Sequence, residues 1–382
     1  MRAREQDLGP FVSEQNIALL TDLYQLTMLQ AYWCEHMFDD AVFSLFVRKL
    51  PAARNYLLAC GLDDALGYLE GLRFYPAAID DLRTRSEFEP GFLDWLEHLR
   101  FTGTVRAMRE GTPVFGEEPI LEVIAPLPEA QLAESVIMNQ VHLQTVLASK
   151  AVRVVAAARG RAVVDFGLRR IHGTDAALKA ARAFYVAGVS STSNVLAGQT
   201  YGIPLAGTMA HSYVQAHDSE LDAFRAFTRV YPDTVLLVDT YDTLEGVRRV
   251  IRLALELGDD FRVRGVRLDS GDLAELAFGA RALLDGAGLQ RVGIFASGGL
   301  DECEIDDLLE RGAPIDAFGV GTRMGVSSDA PALDMAYKLT SYAGRGRVKL
   351  STGKPIWPGP KQVFREHSNG RFVRDVIASA DE

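Results

Sequence analysis

His211 closes the run GIPLAGTMAH, an apolar, β-prone stretch broken by Gly207, and polar residues gather around it where a strand would be ending. A histidine so placed can be a hydrogen-bonded core residue, a metal ligand, or a nucleophile or acid–base group. Metal binding is the weakest of the three, because the pairing of His211 with His217 lacks a zinc-site spacing. The later segment VDTYD offers Asp239 and Asp242, and an aspartate reaching the imidazole would orient it and stabilise its cation. That favours a nucleophile or acid–base role for His211. His217 has no comparable neighbour and reads as a structural or surface histidine.

Other chemically apt residues follow the same kind of run. FGLRRIHGT sets Arg169 and Arg170 directly after AVVDFG, where guanidinium groups can clamp a phosphate or stack on a flat ring, or simply pair at the surface. In GVRLDSGDL, Arg267 precedes Asp269 and Ser270, and Asp269 is placed to hold sugar hydroxyls or a metal, whereas Asp272 reads as a helix cap. IFASGG and FGVGTR bring Ser297, Gly298, Gly299, Gly321, Thr322 and Arg323. Their glycines would let backbone N–H groups approach a phosphate, although neither run is a Walker loop or a GxGxxG fingerprint.

What must position these residues is a repeating βα pattern. The runs AVVDFG, GIPLAGTMAH, TVLLVDT, GVRLDSGD, VGIFASGG and IDAFGVGTR recur about every 25–35 residues, the length of one βα unit. Between them lie segments of helical apolar spacing, most with an acidic or threonine start and a glycine stop. A parallel β/α barrel explains the alternation, and such barrels carry their chemistry at the C-terminal ends of the strands. Acid, base, cation and glycine are therefore expected on one face.

The barrel is expected over residues 126–329. Residues 1–125 mix a helix over LLTDLYQLTMLQAYW, with Thr21 or Asp22 near its N-cap, a strand over AVFSLFVRKLP stopped by Pro51, and short β-prone runs between Gly and Pro. They read as an N-terminal α/β sandwich. The tail, 330–382, returns to a hairpin style and is expected to rejoin that domain. A chain of 382 residues accommodates two such domains.

The net charge of −11, without a basic run, excludes a nucleic-acid or anionic-membrane surface as the expected partner and leaves small molecules. Three scattered cysteines suggest neither a disulfide framework nor a zinc cluster. No apolar stretch approaches the ~20 residues of a membrane span, and the start lacks a signal-peptide run, so a cytoplasmic location is expected.

Taken in order, LLTDLYQLTMLQAY, FVRKLP, DFGLRR, TSNVLAG, GIPLAGTMAHS, LVDTYDT, VRLDSGDL, FASGGLDE, FGVGTR and VKLSTGK resemble the nicotinate phosphoribosyltransferase family along nearly the whole chain. The resemblance implies a type II phosphoribosyltransferase, an irregular α/β barrel with an N-terminal α/β sandwich, working as a homodimer with active sites between subunits. It implies that nicotinate and 5-phosphoribosyl 1-diphosphate become nicotinate mononucleotide and diphosphate, with coupled ATP hydrolysis and Mg²⁺, the entry of salvaged nicotinic acid into NAD.

Residue by residue, the resemblance makes His211 the phosphoryl acceptor, oriented by Asp239 or Asp242. Tyr24, from the other subunit, would stack on the pyridine ring. Thr208 and Arg267 would contact nicotinate, Asp269 with Ser270 beside it the ribose hydroxyls, and Arg169 the ring or diphosphate. Gly298, Gly299, Gly321 and Thr322 would cradle the 5′-phosphate. The related nicotinamide phosphoribosyltransferases carry an aspartate where this chain has Ser193, and a carboxylate there would repel nicotinate. Ser191 departs from the glycine common at its position. Two other readings remain at this stage: a catalytically silent metabolite-binding barrel, and a Schiff-base enzyme using Lys150, Lys179 or Lys338.

Overall fold

A computed structural model of the chain describes residues 11–350 and 356–380; the opening MRAREQDLGP, the STGKP of the late VKLSTGK motif and the last two residues lie outside them. The chain divides into two compact units, Met1–Val146 with Ala332–Glu382, and Leu147–Pro331. The division falls inside the helix Glu134–Ala157, later than the change of sequence style near 126.

The first unit is built on a five-stranded antiparallel sheet in the order Arg345–Gly346, Met335–Tyr342, Asp40–Val47, Pro119–Pro126, Thr104–Ala107. Asp40–Val47 is buried along all but its first residue, as a central strand must be, and ends before Pro51, whose ring cannot donate to a ladder. Its Phe43 stacks on Tyr337 of the neighbouring strand with ring centroids 5.0 Å apart. Leu26 and Leu29 of the helix Leu23–Cys34 join that core. Asp22 occupies the helix N-cap position, but its carboxylate accepts from the Ser135 hydroxyl at 3.0 Å instead of capping. The strands Lys361–Ser368 and Arg371–Ser379 form a separate two-stranded hairpin.

The second unit carries a parallel six-stranded sheet in the order Ser191–Thr192, Ala162–Asp165, Ala317–Val320, Gly293–Ser297, Gly265–Leu268, Val235–Leu237. Its short apolar strands need cover, and the helices between them pack against the sheet. Thr243–Leu257, for example, turns Val247, Val250, Leu253 and Ala254 inward, an apolar stripe at helical spacing. The sheet curls without closing, so the expected irregular barrel is a half-barrel. Five of the six expected runs form strands.

GIPLAGTMAH does not. Only Leu205 makes a bridge, to Thr192, bracketed by Thr192 N–H donating to Pro204 O and Ala206 N–H donating to Thr192 O, each at 3.0 Å. Pro204 has no N–H to give and Gly207 weakens an extended run, so the ladder stops after one rung. The chain stays irregular to Ala210, and His211 opens the short helix His211–Gln215 instead of ending a strand.

Candidate active site

The C-terminal ends of four neighbouring strands bring most of the expected residues of this unit together. Arg267, next to last on its strand, points its guanidinium Nη1 at the Thr208 hydroxyl, 2.6 Å away, and Nη2 lies 3.7 Å from Asp269 Oδ1. The guanidinium stands over the ring of Phe166, 5.7 Å from its centroid. Asp269 also accepts a short hydrogen bond from the Ser297 hydroxyl of the adjacent strand. Asp239, following Val235–Leu237, accepts from the Asp269 backbone N–H at 3.0 Å and from the Ser270 hydroxyl at 2.7 Å. Thr208, Arg267, Asp269, Ser270, Ser297 and Asp239 thus form one connected polar network.

Burial lowers the Arg267 pKa, partly offset by the charges of Asp269 and Asp239, while the positive charge of Arg169 pushes it further down. Asp269 and Asp239 face Arg267 while Arg169 opposes it, so an acid seated between the two guanidinium groups would relieve their repulsion. Two atoms inside the network are buried without a hydrogen-bond partner, Asp239 Oδ1 and Arg267 Nε. Buried polar atoms are rarely left so, and these are poised for a guest that supplies both an acceptor and a donor or cation.

His211 Nδ1 lies 3.2 Å from Thr240 Oγ1. The expected aspartate partner is therefore replaced by the threonine between the two candidates. Asp239 is engaged by Asp269 and Ser270, and the Asp242 carboxylate accepts from Glu245 N–H at 2.8 Å as the N-cap of Thr243–Leu257. The three residues belong to one turn between strand and helix, where only one can face the imidazole. Asp272 caps the next helix as its sequence suggested, and His217 bonds the carbonyl of Tyr213 at 2.8 Å.

The glycine-bearing ends are tight. Gly298 has φ +98°, and a Cβ there would lie 1.9 Å from the carbonyl oxygen of Asp269, so no side chain fits. Gly299 follows, also left-handed, and the helix Glu302–Glu310 begins just beyond with Asp301 as cap. On the neighbouring strand end, Gly321 precedes the one-turn helix Thr322–Gly325, and Arg170 Nη1 donates to Thr322 Oγ1 at 3.2 Å. Ser193, half-buried, donates its backbone N–H to Asp165 O at 2.9 Å. Asp165 itself is fully enclosed and accepts from Gly167 N–H and the Thr192 hydroxyl, each at 2.7 Å.

Tyr24 belongs to the first unit, on the helix Leu23–Cys34, with its ring about half exposed and its hydroxyl accepting from Gln25 at 2.9 Å. Thr240 and Phe166 are contributors that the sequence did not single out, and Ser297, expected at its strand end, gains a partner in Asp269. Thr240 and Ser297 follow the rule that placed the others, being polar residues at the ends of apolar runs. Phe166 is apolar and carries no such signal.

A curled parallel sheet with cations, carboxylates and glycine turns gathered at its C-terminal strand ends defines an α/β enzyme suited to a small anionic substrate. Residues 19–142 match the nicotinate phosphoribosyltransferase (NAPRTase) N-terminal domain and residues 161–371 the NAPRTase family. A nicotinate phosphoribosyltransferase of Mycobacterium tuberculosis is 59% identical over 365 residues, covering 96% of this chain and 79% of the relative. That of Bacillus subtilis is 42% identical, covering 97% and 77%. The crystal structure of human nicotinic acid phosphoribosyltransferase superposes with a TM-score of 0.85 at 31% identity, covering 95% of this chain and 82% of the human one. The chain belongs to the nicotinate phosphoribosyltransferase family. Among the described residues no helix is long and apolar enough to cross a membrane.

Proposed function

We propose that this chain performs nicotinate phosphoribosyl transfer for NAD salvage and couples it to ATP through His211. Family membership supports the transfer, and the anion-seeking network around Arg267 supports the acid, nicotinate, as the acceptor. In the transfer, the nicotinate ring nitrogen attacks C1 of 5-phosphoribosyl 1-diphosphate, the C1–O bond breaks, and diphosphate leaves with the bonding pair. Arg267, aimed by the Thr208 hydroxyl, meets the nicotinate carboxylate. Asp269, held by Ser297 and by Asp239 through its own N–H, takes the ribose hydroxyls, with Ser270 alongside.

The N–H groups around Gly298, Gly299, Gly321 and Thr322 receive the 5′-phosphate, and Arg169 is placed for the ring or the diphosphate. Tyr24, supplied by the other subunit of a homodimer, stacks on the pyridine. In the coupled step an unprotonated imidazole nitrogen of His211 attacks the terminal phosphorus of ATP, ADP leaves, and water later cleaves the phosphoramidate to phosphate. Thr240 fixes the ring at Nδ1, which leaves Nε2 as the attacking atom.

Among the described residues no three metal-ligating side chains converge. Mg²⁺ commonly binds through one or two carboxylates plus substrate phosphates, and Asp239, with its unpartnered buried Oδ1, and Asp269 fit that pattern. Bound there, Mg²⁺ would neutralise the departing diphosphate.

The single observation that carries the substrate assignment is the half-buried Arg267, aimed by Thr208 and set between the Asp269 carboxylate and the opposing charge of Arg169. The closest rival, nicotinamide transfer, is disfavoured by the neutral Ser193. Incubation with γ-labelled ATP should leave acid-labile, base-stable phosphate on the wild type and none on His211→Ala. Equal labelling of both proteins would remove His211 from the mechanism.

A further inference from the structure

Lys150 is a buried cation that the reaction as described does not use. It sits on the helix Glu134–Ala157 with a side chain only 1% exposed. Its Nζ lies 2.5 Å from Glu302 Oε2, 3.1 Å from Asp329 Oδ1 and 3.7 Å from Asp301 Oδ2. Burial alone would lower its pKa, but Glu302 and Asp329 outweigh burial and hold it above the ordinary lysine value. A lysine kept charged in this way is no nucleophile, which removes it as a Schiff-base candidate. Lys179 lies on the helix Thr174–Val186 and Lys338 on a strand of the first unit.

The carboxylates around Lys150 come from two places. Asp301 and Glu302 start the helix that follows Gly298 and Gly299, with Asp301 in a capping box with Glu304. Asp329 follows Gly321 and Thr322 along the chain. A second bridge joins the same two segments: Arg323 bonds Glu304 and lies 3.4 Å from Asp301 Oδ2. One ammonium and one guanidinium therefore tie together the two segments that follow the glycine turns.

We propose that Lys150 is a positioning residue for the phosphate subsite, fixing the spacing of the Gly298–Gly299 and Gly321–Thr322 turns so that their N–H groups converge on the 5′-phosphate. This rests on the assignment of those turns to the 5′-phosphate. Without the ammonium, Arg153 would still meet Glu302 and Arg323 would still meet Asp301, but the bridge from Asp329 to them would be lost, and repulsion across that gap would part the two segments.

The test is steady-state kinetics on the full chain with Lys150→Met, Asp329→Asn and Gly298→Ala, each checked for native circular dichroism. Loss of a buried ion-pair partner is expected to raise KM for 5-phosphoribosyl 1-diphosphate about tenfold in Lys150→Met, and a few-fold in Asp329→Asn, while KM for nicotinate changes less than twofold. Lys150→Met with Glu302→Gln, which removes a facing charge, should recover part of the loss. If Lys150→Met does not fold, Asp329→Asn alone decides.

Unchanged KM for 5-phosphoribosyl 1-diphosphate in the folded variants overturns the proposal, as does an equal rise for both substrates, which would mark a merely structural lysine. Gly298→Ala, which displaces the phosphate turn directly, distinguishes the phosphate assignment from the role of Lys150. If it raises that KM while Lys150→Met and Asp329→Asn do not, the phosphate assignment stands and the role of Lys150 falls. If none of the three moves it, the phosphate assignment itself fails.

Discussion

Replacing Thr240 by valine keeps the shape of the side chain and deletes the hydroxyl 3.2 Å from His211 Nδ1. No other hydrogen bond of the His211 ring occurs among the described residues, so its orientation should loosen without a change in packing. A neutral hydrogen bond of this kind contributes about 0.5–1.5 kcal/mol, which corresponds to roughly two- to tenfold in rate. The affected step is phosphoryl transfer from ATP, so initial label incorporation, followed by rapid quench at saturating ATP, should slow by that factor. ATP-independent product formation should stay at its wild-type level. Asp242→Asn is the control, because asparagine caps a helix as well as aspartate and the structure ties Asp242 to Glu245 N–H. A full labelling rate in Thr240→Val together with a slow one in Asp242→Asn would refute the geometry and restore the aspartate as the orienting group.

Further outcomes follow from other parts of the molecule. Arg267→Lys loses the planar fork shared between Thr208 and the substrate carboxylate, so KM for nicotinate should rise about tenfold with a smaller change in kcat, measured by product formation. Ser193→Asp should weaken nicotinate more than nicotinamide, and an equal effect on both would show that residue 193 does not sense the substrate charge. Gly298→Ala drives a methyl group into the Asp269 carbonyl and should raise KM for 5-phosphoribosyl 1-diphosphate well over tenfold by the strain at a left-handed site. In the first unit, burial raises the pKa of Glu118 to about 7, helped by the neighbouring Asp375 carboxylate. The folded state then holds the Glu118 proton that the unfolded state has released, so wild-type stability should fall as pH rises from near 4.5 through 7. Glu118→Gln, which mimics the protonated acid, should therefore gain in melting temperature relative to wild type more at pH 8 than at pH 5; an equal difference at both would contradict the shift.

Local pattern made the parallel strands legible. AVVDFG, TVLLVDT, GVRLDSGD, VGIFASGG and IDAFGVGTR each combine a short apolar run with a polar end and a helix start, and each formed its strand where the run lies. GIPLAGTMAH carries the same surface pattern, yet Pro204 and Gly207 limited it to a single bridge, and that loss of a strand is what leaves the barrel half open. The composition of the site was legible for the same reason, since strand ends hold the polar residues. Its pairings were not. Whether Asp239, Thr240 or Asp242 meets His211 depends on how one strand-to-helix turn is wound, and a helix-capping demand took Asp242 away. The role of Lys150 was hidden further still, because a lysine inside an amphipathic helix looks like any solvated one until the carboxylates of two distant turns are found around it.

On the mechanism proposed above, this chain uses ATP, through His211, to drive phosphoribosyl transfer onto nicotinate. The most direct measurement is the rate of mononucleotide formation by wild type and His211→Ala, with nicotinate or nicotinamide, each with and without ATP. Product is expected from nicotinate and little from nicotinamide, with ATP accelerating the wild type and leaving His211→Ala at its slow, ATP-independent rate. Preference for nicotinamide, or equal acceleration of both proteins by ATP, would contradict it.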